Sequence, residues 1–250
     1  MKFLEYTPLD SINDFLSHVN LGECTIKGNL EAYSCKHTGT DRKLSLSLEH
    51  EILDYIGQSP DTDSPSLVEF LSSRSSRKTL IYLVLTLSHM YPDYDFSAVQ
   101  AHRFFTEEGW DSFKQIFDTY MFEASKEWAV ANEGSSLLES FYKALDEVVK
   151  LAECEIYSYN PDSDGDPFME RGAIWSFIFF FYNRKLKRVQ KVFLQMGYGM
   201  RKTGIFLMTW TYDSDYWTVI RSHGSHFCVC NRSVVELQLE SSFNRTHKLD

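Results

Sequence analysis

Helical spacing of apolar residues, three and four positions apart, dominates the first 150 residues of the chain. Four segments with this spacing are predicted to be helices, and they begin at Thr7, Thr79, Trp110 and Leu137. The composition of Thr79–Tyr91 also suits a strand, but its length and its end just before Pro92 favour a buried helix. A weaker pattern around Leu48–Ile56 predicts one more short helix.

Strand patterns lie between these helices. Cys24–Cys35 alternates as a half-buried strand does, and Gly28 within it predicts a bulge or a close backbone approach. Ile156–Tyr159 is a shorter candidate strand. Ile174–Tyr182 (IWSFIFFFY) is the most apolar run in the chain, yet it is too short to cross a bilayer, and its aromatic residues favour a strand buried on both faces. We expect the other elements to cover this strand.

Two changes of composition divide the chain. Serine, proline and aspartate dominate residues 58–78, which predicts a mobile insertion between packed parts. After Val189 clean periodicity is lost, although three stretches are possible strands: Ile205–Tyr212, Tyr216–Ile220 and Val234–Leu239. The predicted organisation is a first helix and strand (1–39), a mobile regulatory linker (40–78), the core of the same domain (79–189) and a divergent tail (190–250).

The charge of the chain limits its partners. A formal net charge of -10 over 250 residues opposes direct binding to a nucleic-acid backbone and suits a basic protein surface better. Five cysteines without framework spacing indicate reduced thiols, and the first residues lack the pattern of a signal peptide. We therefore expect a soluble intracellular protein that neither enters a membrane nor reads a nucleic-acid sequence.

Asp162, Asp164 and Asp166 form an acidic turn before the aromatic run. They resemble the start of a calcium loop, but the glycine and the bidentate glutamate that such a loop needs are not at the required positions. Four metal-ligand residues further on fit no usual zinc spacing: His223, His226, Cys228 and Cys230. Phosphate-binding glycine loops and hydrolase motifs are also missing from the sequence, so an exposed acidic turn is favoured over a metal site or an enzyme.

Arg184, Lys185, Lys187 and Arg188 end the aromatic run with four positive charges in five residues. One interpretation is a solvated strand end that discourages edge pairing. The functional interpretation is a nuclear-import signal, or a patch that contacts acidic protein or nucleic acid.

Four serines are predicted phosphorylation sites. Ser59 and Ser64 each precede a proline in the predicted linker, while Ser75 and Ser76 lie among basic residues that suit a different class of kinase. A phosphate adds about -1.5 to -2 charge and can rearrange a segment around nearby arginines.

Several long motifs, taken in order, resemble one known family. They are MKFLEYTPLDSIN, IKGNLEAYSCK, SRKTLIYLVLTLSHMYPDYDFS, LAECEIYSYNPDSDGDPF and WSFIFFFYNRKLKRV. Together they resemble the Maf-one family, a family of eukaryotic repressors of RNA polymerase III. The resemblance covers about residues 1–189 apart from a variable insertion at 40–73, and long motifs in a fixed order are more specific than any single short pattern.

This resemblance implies an α+β fold, in which an antiparallel β-sheet is flanked by α-helices and carries a mobile Ser/Pro/Asp-rich insertion. It also implies a mechanism without catalysis or cofactor: such repressors bind RNA polymerase III and block its association with the initiation factor. Regulatory kinases inactivate them, and dephosphorylation by a phosphatase favours nuclear over cytoplasmic forms. By position, Asp162, Asp164 and Asp166 become candidates for polymerase contact, and the basic run becomes the import signal.

The resemblance stops near Val189, where the family continues with a further apolar strand and an acidic tail. If the divergent tail displaces that strand, a sheet edge stays open, whereas Val192–Leu194 could still occupy its place. Two other functions remain possible at this point. One is a phospho-regulated adaptor without a polymerase target, and the other is a metal-dependent enzyme that uses the acidic turn or the His223–Cys230 cluster.

Overall fold

The computed structural model describes residues 1–58, 65–96, 101–160, 173–198, 218–220 and 228–230. Its helices are α1 (Thr7–Leu16), α2 (Gly39–Gln58), α3 (Pro65–Ser72), α4 (Arg74–Met90), α5 (Ala101–Phe104), α6 (Trp110–Tyr120), α7 (Phe122–Ala131) and α8 (Leu137–Val149), followed by a 3-10 turn (Leu151–Glu153). Its strands are β1 (Lys2–Leu4), β2 (Val19–Asn20), β3 (Cys24–Ser34), β4 (Phe105–Glu108), β5 (Glu155–Tyr159), β6 (Ala173–Asn183), β7 (Arg188–Tyr198), β8 (Thr218–Ile220) and β9 (Cys228–Cys230). Within these ranges no helix combines the length and the apolar character that a membrane crossing requires.

Seven strands form one antiparallel sheet in the order β1-β3-β7-β6-β5-β4, with β2 paired to β3 as well. The long strands β3, β7 and β6 occupy the middle, and among the described residues β8 pairs with β9 in a separate sheet. Helices flank the sheet, which confirms the predicted α+β class.

The aromatic strand β6 is buried on both faces, as its sequence predicts. Phe177, Phe179 and Phe181 point to a core formed with α1, α6, α7 and α8, because successive side chains of a strand alternate in direction. The ring of Phe113 on α6 packs edge-on against Phe179 and Phe181, with ring centroids 4.9 and 4.8 Å away. The intervening residues, Ile178, Phe180 and Tyr182, face a second core formed mainly with α2 and α4. The sheet is therefore the middle layer of three.

Local signals explain why α8 begins where it does. The Ser136 hydroxyl accepts a hydrogen bond from the backbone N–H of Glu139 at 3.2 Å, which satisfies one of the unpaired donors of the first turn. Gly134, with φ of +83°, ends the preceding segment in a left-handed conformation that suits glycine. Phe141, Leu145 and Val148 lie on one helical face and are fully buried.

Most of α2, all of α3 and the start of α4 lie within residues 40–78, the predicted linker. Leu48 and Ile52 of α2 are buried against α4, in agreement with the weaker helical pattern noted there. The guanidinium of Arg77 donates to the carbonyls of Leu71 and Ser72, both at 2.8 Å, and so caps the end of α3. Ser59 and Ser64 lie outside the described residues, and the regulatory role of the interval stays a prediction.

Strand β7 continues to Tyr198, beyond Val189, where the sequence analysis placed the end of the domain core. Residues 188–198 pair with β3 on one side and β6 on the other, so they fill the centre of the sheet and leave no open edge there. Gly28 of β3 lies opposite Leu194, and a Cβ at Gly28 would come within 2.3 Å of Leu194 Cδ2 and 2.7 Å of the Phe193 carbonyl oxygen. The glycine therefore marks a close approach, as predicted, within a regular register that contains no bulge.

Candidate functional site

The basic residues predicted from the sequence form the turn between β6 and β7. We call Arg184–Arg188 the basic turn. The other predicted groups, namely Asp162, Asp164 and Asp166, the serines Ser59 and Ser64, and the side chains of the His223–Cys230 cluster, lie outside the described residues. In the ranges that the structure does describe, His, Cys, Asp and Glu side chains form no group of three that could hold a metal ion.

The backbone of the basic turn is fixed to two neighbouring elements. The buried side chain of Asn183 accepts from the Leu186 N–H at 2.9 Å and donates to the Val149 carbonyl at the end of α8 at 2.7 Å. Lys187 adopts a left-handed φ of +51°, and its carbonyl accepts from the Cys35 N–H at 2.9 Å. The turn therefore has a defined shape and presents its side chains from a rigid base.

Arg184, a predicted import residue, contacts Ser75, a predicted phosphorylation site. Its guanidinium forms an ion pair with Glu155 at 2.6 Å and donates hydrogen bonds to the hydroxyls of Ser75 and Thr79 on α4. Partial burial opposes its charge, but the hydrogen bond and the charge of Glu155 outweigh that effect, so the pKa of Arg184 is raised. Ser75 is exposed, which leaves a predicted phosphorylation site next to a predicted import residue.

The remaining basic residues of the turn divide into structural and solvent-facing groups. Arg188 donates to the Val148 carbonyl at 2.9 Å and lies 5.8 Å from the centroid of the Tyr6 ring, so it helps to hold the turn against α8. Lys185 is 77% exposed and pairs with Glu153 at 3.3 Å, where solvent screens the interaction. Two of the four basic residues, Arg184 and Arg188, are thus bonded to other elements of the fold, whereas Lys185 and Lys187 are exposed.

Two lysines from other segments flank the basic turn. Lys36 directly follows Cys35, whose N–H binds Lys187, and Lys78 projects from α4 with its ammonium 5.7 Å from the centroid of the Tyr82 ring. Burial raises the pKa of the Cys35 thiol to about 12, and the nearby positive charges of Lys187 and Lys78 counter part of that rise. We call Lys36, Lys78 and Lys187 the lysine patch. Sequence reasoning missed it because its members come from three separate segments.

Two buried polar clusters were also missed. Lys191 is 1% exposed and lies 3.4 Å from Glu31, which also accepts from the Tyr33 hydroxyl at 2.8 Å. Burial lowers the pKa of Lys191 to about 8, although Glu31 opposes this shift.

The second cluster surrounds Asp41 at the start of α2. Its carboxylate pairs with the α-amino group of Met1, lies 2.7 Å from His89 Nε2 on α4, and accepts from the Thr38 N–H at 2.5 Å. Burial alone would raise the pKa of Asp41, but these hydrogen bonds outweigh it and hold the pKa well below its usual range.

Fold and site together define a three-layer α+β domain whose candidate groups are charged side chains on its surface. The family model of the Maf1 regulator matches residues 26–194, from β3 to the middle of β7. The chain belongs to the Maf1 family, as its motifs indicated, and the match extends past Val189.

Similar proteins extend this result. A relative named "Repressor of RNA polymerase III transcription maf1", from Schizosaccharomyces pombe, is 32% identical over 213 residues, which cover 82% of this chain and 86% of the relative. A "Repressor of RNA polymerase III transcription" from Dictyostelium discoideum is 28% identical over 76% of this chain and 82% of its own length. The crystal structure of citrus MAF1 in space group P 31 2 1 is 71% identical, with a TM-score of 0.66, and covers 77% of this chain and 100% of that chain.

Proposed function

We propose that this protein is a negative regulator of RNA polymerase III transcription that binds the polymerase and blocks its association with the initiation factor. The observation that carries the proposal is the family match across the central sheet, together with relatives that are named repressors of RNA polymerase III transcription. The proposed action is steric and needs no cofactor or catalytic group. A competitor of this kind depends on a rigid surface with complementary charge.

The acidic turn is the proposed contact with the polymerase. Asp162, Asp164 and Asp166 precede β6 in the sequence. The whole chain is also acidic, with a net charge of -10. A basic surface on the polymerase would attract such a protein and orient it before contact.

We propose phosphorylation as the control, with Ser59, Ser64, Ser75 and Ser76 as sites for regulatory kinases and a phosphatase. Ser75 supports this proposal best, because its exposed hydroxyl lies in the first turn of α4 and contacts Arg184. A phosphate there adds about -1.5 to -2 charge, which the helix N-terminus and Arg184 both favour. It would compete with Glu155 for Arg184 and so alter the charge of the basic turn.

The same charge change gives a route to control of localisation. We propose that the protein distributes between nucleus and cytoplasm according to phosphorylation, with the basic turn as the import signal. Lys185 and Lys187 are exposed and available to a receptor, whereas Arg184 and Arg188 must first leave their partners in the fold.

A pull-down of purified RNA polymerase III by the full, dephosphorylated chain tests the proposal. We expect the polymerase to be retained, and we expect replacement of Asp162, Asp164 and Asp166 by asparagine to weaken retention at least about fivefold, since three charged contacts are removed. The matched control replaces three exposed aspartates of α1 and α6, namely Asp10, Asp14 and Asp111, and should retain the polymerase normally. Failure of the unaltered chain to retain the polymerase would leave the adaptor interpretation instead.

A further inference from the structure

The lysine patch brings three positive charges from three segments to one end of the sheet. Lys36 follows the end of β3, Lys78 lies on α4 and Lys187 lies in the basic turn. All three side chains are exposed, and none forms an ion pair with a carboxylate in the described parts of the chain. Such a concentration of unpaired positive charge is unusual on a protein with a net charge of -10.

The patch is held in place before any partner arrives. The hydrogen bond from the Cys35 N–H to the Lys187 carbonyl fixes the first and third segments to each other. Tyr82 supports Lys78 from the same helix, and the ring of His37 packs edge-on against Tyr82 with centroids 5.4 Å apart. Binding to a surface of this kind costs little ordering of the backbone.

Neighbouring charged residues are already paired and do not cancel the charge of the patch. Arg184 and Lys185 lie in the same turn and carry their own carboxylate partners, Glu155 and Glu153. The carboxylate of Asp41, which is close enough to His37 to affect its pKa, is occupied by Met1, Thr38 and His89. The lysines therefore remain available to an external anion.

We propose that the lysine patch binds a short acidic peptide segment of a partner protein. A nucleic acid extends its phosphates far beyond three lysines, and a chain with a net charge of -10 would repel that extension. A short acidic segment stays within about 8 Å of the patch, the distance over which charges act at physiological ionic strength. Lysine ammonium groups act as separate point charges, which suits individual carboxylates. The inference stands whether or not the polymerase is a partner.

Fluorescence anisotropy with a labelled poly-glutamate peptide of about six residues, at most roughly 20 Å long when extended, tests the inference. The full chain should bind it at low salt and release it as salt rises. The variant Lys36→Glu/Lys78→Glu/Lys187→Glu should bind at least about tenfold more weakly, because three exposed charge pairs are lost and reversed.

The matched control is Lys114→Glu/Lys126→Glu/Lys143→Glu, which changes the net charge equally on exposed lysines of α6, α7 and α8. It should bind the peptide within about twofold of the unaltered chain. Equal weakening of both variants would overturn the inference, because net charge alone would then account for binding. Undiminished binding by the patch variant would overturn it too.

Two further arms keep the test decisive. A labelled single-stranded RNA of the same length should bind more weakly than the peptide. Tighter binding that the patch variant abolishes would assign the surface to nucleic acid and reject the acidic peptide.

If the Lys→Glu variant unfolds, as judged by its thermal transition, Lys36→Gln/Lys78→Gln/Lys187→Gln replaces it and should still lose most of the binding. Normal binding by a folded glutamine variant would reject the inference.

Discussion

Asp41 and Lys191 are charged residues with almost no contact with solvent, and each is tolerated because a distant segment supplies a partner. Asp41 on α2 meets His89 on α4, and Lys191 on β7 meets Glu31 on β3. Burying a charge is costly unless hydrogen bonds and an opposite charge compensate for it. The two residues therefore report directly on whether the layers are packed as described.

Loss of the Asp41 carboxylate should weaken the packing of α2 on α4. We expect Asp41→Asn to lower the free energy of unfolding at pH 7 by roughly 2–4 kcal/mol, because it leaves buried donors without an anionic partner. Chemical denaturation measures this change. Asp54→Asn, at a residue of the same helix that is 52% exposed, should change stability by less than about 0.5 kcal/mol.

The same carboxylate predicts a pH dependence. Its native pKa lies below the unfolded value of about 4, so its contribution to stability is complete above that value and is lost as the pH falls towards the native pKa. The stability difference between the unaltered protein and Asp41→Asn should therefore shrink on acidification below about pH 4. A difference that stays constant from pH 7 to pH 3 would contradict the assignment.

Lys191 should make stability depend on pH in the alkaline range. Its native pKa of about 8 lies below the unfolded value of about 10.4, so the unfolded chain binds more protons between these values and stability rises with pH there. The thiols of Cys35, which is buried, and Cys154, which is half-buried, have a pKa raised to about 12 and contribute the reverse trend. The quantity to measure is thus the stability of the unaltered protein relative to Lys191→Met.

From pH 8 to pH 10 this relative stability should increase by up to roughly 3 kcal/mol, because Lys191 loses its proton and the folded protein no longer buries its positive charge. Lys126→Met, at a lysine that is 56% exposed, is the control and should show no such increase. A flat difference for Lys191→Met would mean that Lys191 is solvated in the folded protein.

At the scale of elements, β7 decides whether the sheet is complete. Its eleven residues pair with both β3 and β6, so removal of the strand separates the two halves of the sheet and exposes both edges.

Truncation after Tyr198 should therefore keep a cooperative thermal transition and shift its midpoint by only a few degrees, roughly the effect of 1 kcal/mol. Truncation after Val189 should abolish the cooperative transition, because the central strand is gone. Circular dichroism during heating measures both. Cooperative unfolding of the chain that ends at Val189 would contradict the assignment of β7 as the central strand.

Elements with a strong local pattern were predictable, and those that tertiary context determines were not. The helix from Thr79 and the aromatic strand β6 follow from apolar spacing because each buries its side chains almost continuously. Strand β7 was hidden because Gln190, Lys191 and Gln195 are polar residues that become buried only when the strand pairs between β3 and β6. The weak pattern at Leu48–Ile56 predicted only part of α2, because polar residues separate the apolar residues of this helix.

At the scale of the whole molecule, the candidate site depends on contacts between remote segments. The basic turn was visible in the sequence, but its contact with Ser75 and the neighbouring Lys36 and Lys78 requires the folded sheet. In the sequence, the acidic turn precedes β6 and the basic turn follows it. Segments of opposite charge in one chain suit a protein that contacts more than one partner region.

We propose that this protein represses RNA polymerase III by excluding the initiation factor. The most direct measurement is a competition assay, in which increasing amounts of the full, dephosphorylated chain are added to polymerase and promoter-bound initiation factor, and the polymerase recruited to the promoter is quantified. The account predicts that recruitment falls as the protein is added and that prior formation of the polymerase–factor complex protects against it. Unchanged recruitment at concentrations where the protein binds the polymerase would contradict the account.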